Sequence, residues 1–242
     1  MIDQTTLGHT FLKKELGVVP KVGWQVDPFG HSSTQGSLLT SGVGFDALYF
    51  GRIHYVDLQH RKMNAECEGL WSSSSSSADD SSAAFWGLTG SYSGNYGGPS
   101  GFCFDVKCDE WGEHNSMVGL PEDVLLKRVQ NFTHLLAIQA NETKGRNIML
   151  TMGMDFFYSQ ADRNFKNMDI LLDATKRLLS DGSINVANVF GNRFDMVDIR
   201  YSNPERYTQC KYADAVNANE GTLGSTTASA VPTKYDPASW MA

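Results

Sequence analysis

The chain has 242 residues, enough to bury a sizeable core in one large domain or two small ones, and too long for a disulfide-stapled mini-protein. Its 41% hydrophobic and 11% aromatic content is that of a globular protein and excludes a wholly disordered one. The net charge of −7, from 27 acidic and 20 basic residues, argues against a nucleic-acid binder, because such proteins concentrate Lys and Arg. No apolar run approaches the roughly 20 residues of a membrane span. The sequence therefore predicts no nucleic-acid partner and no membrane span.

Two short buried strands are predicted near the start of the chain, at residues 22–26 and 46–50, and each is followed by turn residues. Residues 32–41, between them, are compatible with a helix capped by Ser32 or Ser33. Such strand-helix-strand units usually form parallel sheets, whose functional residues gather in loops at the carboxyl ends of the strands. We therefore expect an α/β fold with its site after these two strands.

From about residue 60 the composition of the sequence changes. From about residue 60 to 119 we expect a long irregular excursion, because the segment contains six consecutive serines at 72–77 and a Gly/Ser/Tyr-rich run at 90–101. The next predicted elements are a helix at 121–140, a strand at 147–152, a helix at 161–179 and a strand at 196–201. The tail at 213–242 is of low complexity and is predicted to be poorly ordered.

Four cysteines, Cys67, Cys103, Cys108 and Cys210, admit three pairings, and the sequence alone does not choose among them. The close pair Cys103 and Cys108 is compatible with a small disulfide loop or with half of a structural zinc site. Only His114 lies near enough in sequence to add a ligand, which favours the disulfide.

Two Asn-x-Thr acceptor sites begin at Asn131 and Asn141. Such tripeptides carry N-linked glycans in proteins of the secretory route, although they also arise by chance. They predict a glycosylated protein, against the cytosolic interpretation that the lack of a signal-peptide pattern at the start suggests.

The most informative stretch is WQVDPFGHS at residues 24–32, which places Asp27 at the end of a predicted strand. Pro28 fixes the local backbone and Gly30 permits a tight bend, so the carboxylate is held in place and can serve as a nucleophile, a metal ligand or both. Asp-Pro-x-Gly is also an ordinary turn sequence, and a histidine such as His31 is more often structural than metal-binding.

A resemblance over a longer stretch of sequence bears on whether Asp27 is a functional residue or part of an ordinary turn. Its blocks, in order, are MIDQTTLGH at 1–9 with FL at 11–12, WQVDPFGHS at 24–32 with Gln35, GFD at 44–46 with FGR at 50–52, GFCFD at 101–105, and TMGMDF at 151–156 with FKNMD at 165–169. In these blocks, from residue 1 to about residue 212, the chain resembles glycoside hydrolase family 38, the class II α-mannosidases, and most closely the lysosomal branch. The resemblance implies that residues 1–212 form a partial (β/α) barrel, part of the catalytic domain.

The resemblance also implies an activity and a set of site residues. The expected enzyme is a zinc-dependent retaining exo-α-mannosidase acting on mannose-containing oligosaccharides such as N-glycans. Asp27 is expected to be both zinc ligand and nucleophile, with Phe29 against the sugar and Arg52 near nucleophile and substrate. Asp155 is expected to contact the substrate. Cys103 and Cys108 match a short disulfide of the lysosomal branch.

Some of the family's functional groups have no match in this chain. By the resemblance, the remaining zinc ligands and the general acid lie outside it, which predicts an internal fragment of a lysosomal or other secretory-route protein. We expect the isolated chain to bind zinc weakly and to hydrolyse no mannoside. Two alternatives are a non-catalytic carbohydrate-binding remnant and another metal-dependent hydrolase, such as a deacetylase, on a related barrel.

Overall fold

The computed structural model describes residues 2–72, 83–89 and 97–220, and the chain divides into two compact units. The first, which we call the sheet unit, comprises residues 1–88 and 204–242. The second, the helical unit, comprises residues 89–203. Each unit is described by itself below.

The sheet unit contains, among its described residues, a four-stranded open sheet of order β1-β2-β4-β3. The strands are β1 (Val22–Gln25), β2 (Ala47–Phe50), β3 (Glu68–Ser72) and β4 (Ala83–Leu88). β2 runs parallel to both β1 and β4, whereas β3 is antiparallel to β4. The parallel pairing predicted for the first two strands is confirmed.

The sheet unit has helices before, between and after its strands. They are α1 (Ile2–Leu16), α2 (Ser33–Ser37), which continues as a π-helical turn (Leu38–Gly42), α3 (Tyr55–Met63), and, from the end of the described chain, a helix that we number α8 (Pro204–Glu220). The predicted cap is present, because the Ser32 hydroxyl accepts the backbone N–H of Gln35 at 3.0 Å. The sequence patterns did not predict α1, which has no buried residue.

All of β2 is buried, because both faces of the sheet are covered. On one face, the rings of Phe50 and Trp86 stack with their centroids 5.4 Å apart. On the other, the Tyr49 hydroxyl forms a 2.8 Å hydrogen bond with Thr208 of α8. Position 87 of β4 is glycine for a steric reason, since a Cβ there would lie 2.8 Å from the Tyr49 ring.

A buried polar group joins α8 to β3. The carboxylate of Glu68 lies 2.7 Å from the ammonium of Lys211 and accepts a hydrogen bond from the hydroxyl of Tyr207. Burial raises the pKa of Glu68, and the neighbouring Lys211 charge opposes that effect. The ion pair therefore fixes the position of α8 on the sheet while keeping a buried carboxylate compensated.

The helical unit is built on two long helices that pack side by side. Its helices are α4 (Val106–Glu110), α5 (Glu122–Ala140), α6 (Ala161–Ser180) and α7 (Val186–Phe190), followed by a 3₁₀ turn (Gly191–Arg193). The predicted helices at 121–140 and 161–179 are thus confirmed. Their apolar faces meet in one core, whose fully buried members include Phe102, Met117, Val129, Phe132 and Leu171.

Two predicted strands, at 147–152 and 196–201, are not strands in the structure. Ile148, Leu150 and Met152 instead pack on the helical core, and the side-chain amide of Gln139 donates to the carbonyl of Met149 at 2.7 Å. Alternating apolar residues are compatible with a strand, but a strand also requires a neighbour with which to form a ladder.

The segment expected to be irregular, residues 60–119, contains β3, β4 and α4. The strand pairs β3–β4 and β2–β4 account for this difference, since short apolar runs gain order from partners distant in sequence. The residues at 73–82 and 90–96, which hold most of the serine run and part of the Gly/Ser/Tyr-rich run, lie outside the described residues. Of the predicted tail, residues 213–220 belong to α8, and 221–242 lie outside the described residues.

Candidate active site

Asp27 and Arg52 are brought together by the register of two parallel strands. Gln25, the last residue of β1, pairs with Phe50, the last residue of β2. Asp27 and Arg52 each follow two residues later, at the same edge of the sheet. Functional loops gather at the carboxyl ends of parallel strands. The pairing of β1 with β2 therefore places Asp27 and Arg52 next to each other.

The Asp27 carboxylate is bound by the guanidinium of Arg52. Two Arg52 groups, Nη2–H and Nε–H, donate to the same oxygen, Asp27 Oδ1, at 2.6 and 3.0 Å. The pair is open to solvent, since the Asp27 side chain is 51% exposed and that of Arg52 34%. The two charge-assisted hydrogen bonds hold the Asp27 carboxylate in one orientation, and a carboxylate is a group that can attack an electrophile or bind a cation.

Phe29 completes this group in the sheet unit. Its ring centroid lies 4.3 Å from the guanidinium carbon of Arg52, and its side chain is 82% exposed. An exposed aromatic ring beside a carboxylate and a guanidinium offers an apolar surface next to hydrogen-bonding groups. Such an arrangement suits a ligand that has both an apolar face and hydroxyl groups, as a sugar ring does.

His31 interacts with the backbone of Arg52. It is buried, its ring lies 4.3 Å from that of Phe50, and its Nε2–H donates to the backbone carbonyl of Arg52 at 3.1 Å. A carbonyl oxygen only accepts, so Nε2 carries the proton. The geometry therefore supports a structural role for His31, which positions the backbone of Arg52.

Burial of His31 gives the fold a testable pH dependence. Desolvation lowers the pKa of its imidazole, and the hydrogen bond to the Arg52 carbonyl opposes this only in part. Below about pH 6.5, the unfolded chain therefore binds a proton at His31 more readily than the folded chain does. The free energy of unfolding falls as the pH drops through this range. In denaturant titrations from pH 7.5 to 5, a His31→Asn variant should lose less stability than the wild type.

The exposed histidine of α5, His134, provides the control for that experiment. His134→Asn should retain the wild-type slope of stability against pH. Equal slopes for the wild type and for His31→Asn would contradict the argument from burial.

Asp155, the fourth predicted site residue, lies in the helical unit and is exposed. It precedes two non-glycine residues with positive φ, Phe156 at 65° and Tyr158 at 66°. Aromatic residues rarely adopt this left-handed conformation, and such strain is often found in functional turns. Asp155 therefore directly precedes a strained turn.

Asp105 ties that turn to the helical unit, a role that the sequence patterns did not predict. Its buried carboxylate accepts the backbone N–H of Lys107 at 3.1 Å as the N-cap of α4, that of Tyr158 at 2.8 Å, and the side-chain amide of Asn164 at 3.0 Å. Burial acts to raise the pKa of Asp105, but these hydrogen bonds and the Arg163 charge outweigh it and lower the pKa. An Asp directly before a short helical run is a typical N-cap signal, which could have revealed the residue.

Comparison with known proteins shows the family of this chain. The sequence matches the family described as "Glycosyl hydrolases family 38 N-terminal domain" over residues 1–217. The chain belongs to glycosyl hydrolase family 38. The predicted membership is thereby confirmed.

Curated members of the family are similar to this chain over most of its length. It is 39% identical to "Alpha-mannosidase" of Canavalia ensiformis over 219 residues, covering 88% of this chain and 20% of that protein. It is 36% identical to "Lysosomal alpha-mannosidase" of Cavia porcellus over 209 residues, covering 86% of this chain and 19% of that protein. The chain thus spans about a fifth of the length of these family 38 proteins.

In this family 38 chain the predicted disulfide is present. Cys103 and Cys108 are bonded to each other in the helical unit, on either side of the Asp105 N-cap. Cys67 is buried and Cys210 half-buried, and neither is part of a disulfide. Of the two interpretations of the Cys103 and Cys108 pair, the disulfide is confirmed.

Zinc, the cofactor that family resemblance implies, requires three or four protein ligands. Within residues 2–72, 83–89 and 97–220 there is no group of three His, Cys, Asp or Glu side chains that could hold a metal ion. Asp27 is a suitable oxygen donor, but the described residues by themselves do not fit a zinc site. Any zinc at Asp27 would take its other ligands from elsewhere.

Both glycosylation candidates, Asn131 on α5 and Asn141 at its C-cap, are exposed, and their modification stays a prediction. In the described parts of the chain no helix is long and apolar enough to cross a membrane.

Proposed function

We propose that this chain contributes the nucleophile to a retaining exo-α-mannosidase acting on mannose-containing oligosaccharides such as N-glycans. The observation that carries the proposal is the group formed by Asp27, Arg52 and Phe29 at the carboxyl ends of β1 and β2. The names of the similar family 38 proteins support mannose as the sugar.

The proposed reaction has two steps. In the first, the Asp27 carboxylate attacks the anomeric carbon, the bond to the leaving oxygen breaks, and that oxygen takes a proton from a general acid. In the second, a water molecule gives a proton to the same group, which now acts as a base, and attacks the anomeric carbon while the bond between that carbon and the Asp27 oxygen breaks. Mannose leaves with its configuration retained, and the carboxylate is restored. The general acid stays unassigned in this scheme.

Arg52 and Phe29 have distinct roles in this scheme. Two N–H groups of Arg52 orient the Asp27 carboxylate before attack and stabilise the carboxylate that departs in the second step. Phe29 offers its exposed ring to the apolar face of the sugar. In this proposal Asp27 would also be a zinc ligand. None of the steps above is assigned to the metal.

Several broader features belong to the proposal as well. The open sheet would form part of an α/β barrel, as the resemblance implies. A lysosomal or other secretory-route location is supported by the similar lysosomal enzymes, although the family also includes plant proteins. Glycans at Asn131 and Asn141 would agree with that route.

The substrate-contact role of Asp155 yields a kinetic prediction. If Asp155 binds a substrate hydroxyl, Asp155→Asn should lower kcat/KM by roughly 10- to 100-fold, the effect of losing a hydrogen bond to a charged group. The loss should be similar for aryl α-mannosides with good and with poor leaving groups. A loss confined to poor leaving groups would contradict this role and identify Asp155 as the proton donor.

The direct test of the proposed function is hydrolysis by the protein expressed from its complete reading frame. We expect release of nitrophenol from 4-nitrophenyl α-D-mannopyranoside, little release from the β-mannoside or the α-glucoside, and α-mannose as the first product by NMR. Binding of mannosides without turnover would support a carbohydrate-binding remnant instead, and a β-configured first product would contradict the retaining mechanism.

A further inference from the structure

A run of buried side chains in the sheet unit connects α3 to the segment that carries Arg52. The guanidinium carbon of Arg61 lies 4.8 Å from the centroid of the Trp86 ring, and that ring stacks on Phe50 with the centroids 5.4 Å apart. The centroid of the Phe50 ring in turn lies 4.3 Å from that of the His31 imidazole. We call these four side chains the stack, and each of them is at most 6% exposed.

The Arg61 end of the stack is anchored by a buried ion pair. Arg61 Nε–H donates to Asp57 Oδ2 at 2.9 Å within α3, and the two side chains are 4% and 6% exposed. A buried charge that lost its partner would be strongly destabilising, so this pair holds one arrangement. The guanidinium of Arg61 therefore has a fixed place over the face of the Trp86 ring.

The His31 end of the stack reaches the candidate active site. His31 donates to the backbone carbonyl of Arg52, whose side chain donates two hydrogen bonds to Asp27. The Arg52 and Asp27 side chains are 34% and 51% exposed, whereas the imidazole that holds the Arg52 backbone is buried. The hydrogen bond from His31 therefore connects the close-packed core to the pair that would carry out the reaction.

Trp86 has a central place in the stack, between the anchored Arg61 and the ring of Phe50. Close-packed interiors transmit a shift from one neighbour to the next, because they contain few voids that could absorb it. Catalysis is sensitive to such shifts, and a misplacement of about 1 Å can lower a rate on the order of 100-fold. A smaller or more flexible side chain at position 86 would let Phe50 and His31 move, and the backbone of Arg52 with them.

We propose that Trp86 is a positioning residue for the reaction: through Phe50 and His31 it sets the backbone of Arg52, and so the orientation of the Asp27 carboxylate. Its part in the reaction rests on the proposed function. Its hold on the Arg52 segment depends on no activity.

Kinetics of variants at position 86 test this role in the protein expressed from its complete reading frame. Trp86→Met, which keeps an apolar side chain but no ring, should lower kcat for 4-nitrophenyl α-D-mannopyranoside roughly 10- to 100-fold and change KM less than about threefold. Trp86→Phe, which keeps a ring to stack on Phe50, should restore most of that loss. Leu39→Ala is the matched control, because Leu39 is buried in the same core cluster and is not part of the stack. It should lower the midpoint of thermal unfolding and keep kcat within about twofold.

A double-mutant cycle with Arg52→Ala separates positioning from a general loss of stability. If Trp86 acts through Arg52, Trp86→Met should lower kcat by less than about twofold in the Arg52→Ala background, because independent effects would instead multiply. An undiminished loss in that background would overturn the proposal. Should Trp86→Met fail to fold, Phe50→Leu interrupts the stack one ring closer to His31 and should give the same kinetic result. Wild-type kcat in Phe50→Leu would then overturn it.

Hydrogen–deuterium exchange measures the hold on the Arg52 segment without any reaction. In Trp86→Met, peptides covering residues 50–54 should exchange faster than they do in the wild type and in Leu39→Ala. Hydrolysis by the wild type, with equal exchange and equal kcat in Trp86→Met, would overturn this inference and leave the proposed function standing. Faster exchange in Trp86→Met, without hydrolysis by the wild type, would support the hold on the Arg52 segment and count against the proposed function.

Discussion

Asp27→Asn should lower kcat for 4-nitrophenyl α-D-mannopyranoside by at least about 10³-fold, the scale on which loss of a catalytic nucleophile acts. An amide keeps the shape of the carboxylate and a hydrogen-bond acceptor for Arg52, but it cannot form a glycosyl ester with the anomeric carbon. The fold should be preserved, because the Asp27 side chain is half exposed and its ion pair with Arg52 is open to solvent.

The measurement compares kcat and the midpoint of thermal unfolding for Asp27→Asn and for a matched variant. Asp123→Asn, in the exposed first turn of α5, makes the same chemical change away from the site and should keep kcat within about twofold. An Asp27→Asn variant with more than a tenth of wild-type kcat would show that the carboxylate is not the nucleophile.

Asp105→Ala should lower the free energy of unfolding by about 3–5 kcal/mol, since it leaves three donors without their acceptor in a buried place. Those donors are the backbone N–H groups of Lys107 and Tyr158 and the side-chain amide of Asn164. The substitution removes the cap of α4 and the anchor of the turn that carries Asp155 in one step. Should this variant fail to fold, Asp105→Asn, which retains one acceptor oxygen, should fold with a smaller loss.

The lowered pKa of Asp105 fixes the sign of an associated pH effect. Its folded-state pKa lies below the unfolded value, so its stabilisation is complete above about pH 4 and is lost as the pH falls through the folded-state pKa. Denaturant titrations of the wild type should show this acid loss, and Asp105→Asn should show less of it. Asp162→Ala, exposed in the first turn of α6, should change stability by less than about 0.5 kcal/mol. A similar cost for Asp162→Ala and Asp105→Ala would contradict the role assigned to the buried carboxylate.

The sequence predicted best where local pattern and tertiary structure agree. The helices α5 and α6 combine apolar spacing with end signals, and the segment around Asp27 combines a buried strand with Pro28 and Gly30. Arg52 entered through the family resemblance, and the structure supplies the physical link, because the register of β1 and β2 places the two residues side by side. Register is a property of two strands, and it is invisible in either one alone.

The predictions failed where order depends on distant partners. β3 and β4 pair with each other across a segment expected to be irregular, whereas residues 147–152, although strand-like, pack on helices. Asp105 and Asn164 meet over 59 positions of sequence. No local pattern predicts that contact.

Covalent trapping is the most direct test of the account. The protein expressed from its complete reading frame would be treated with a fluorinated mannosyl inactivator that forms a slowly hydrolysed glycosyl-enzyme, digested, and mapped by mass spectrometry. We expect one added mannosyl group on the peptide containing residues 24–32, attached to Asp27 and absent from Asp27→Asn. A label on a different carboxylate, or mannoside hydrolysis without any label, would contradict it.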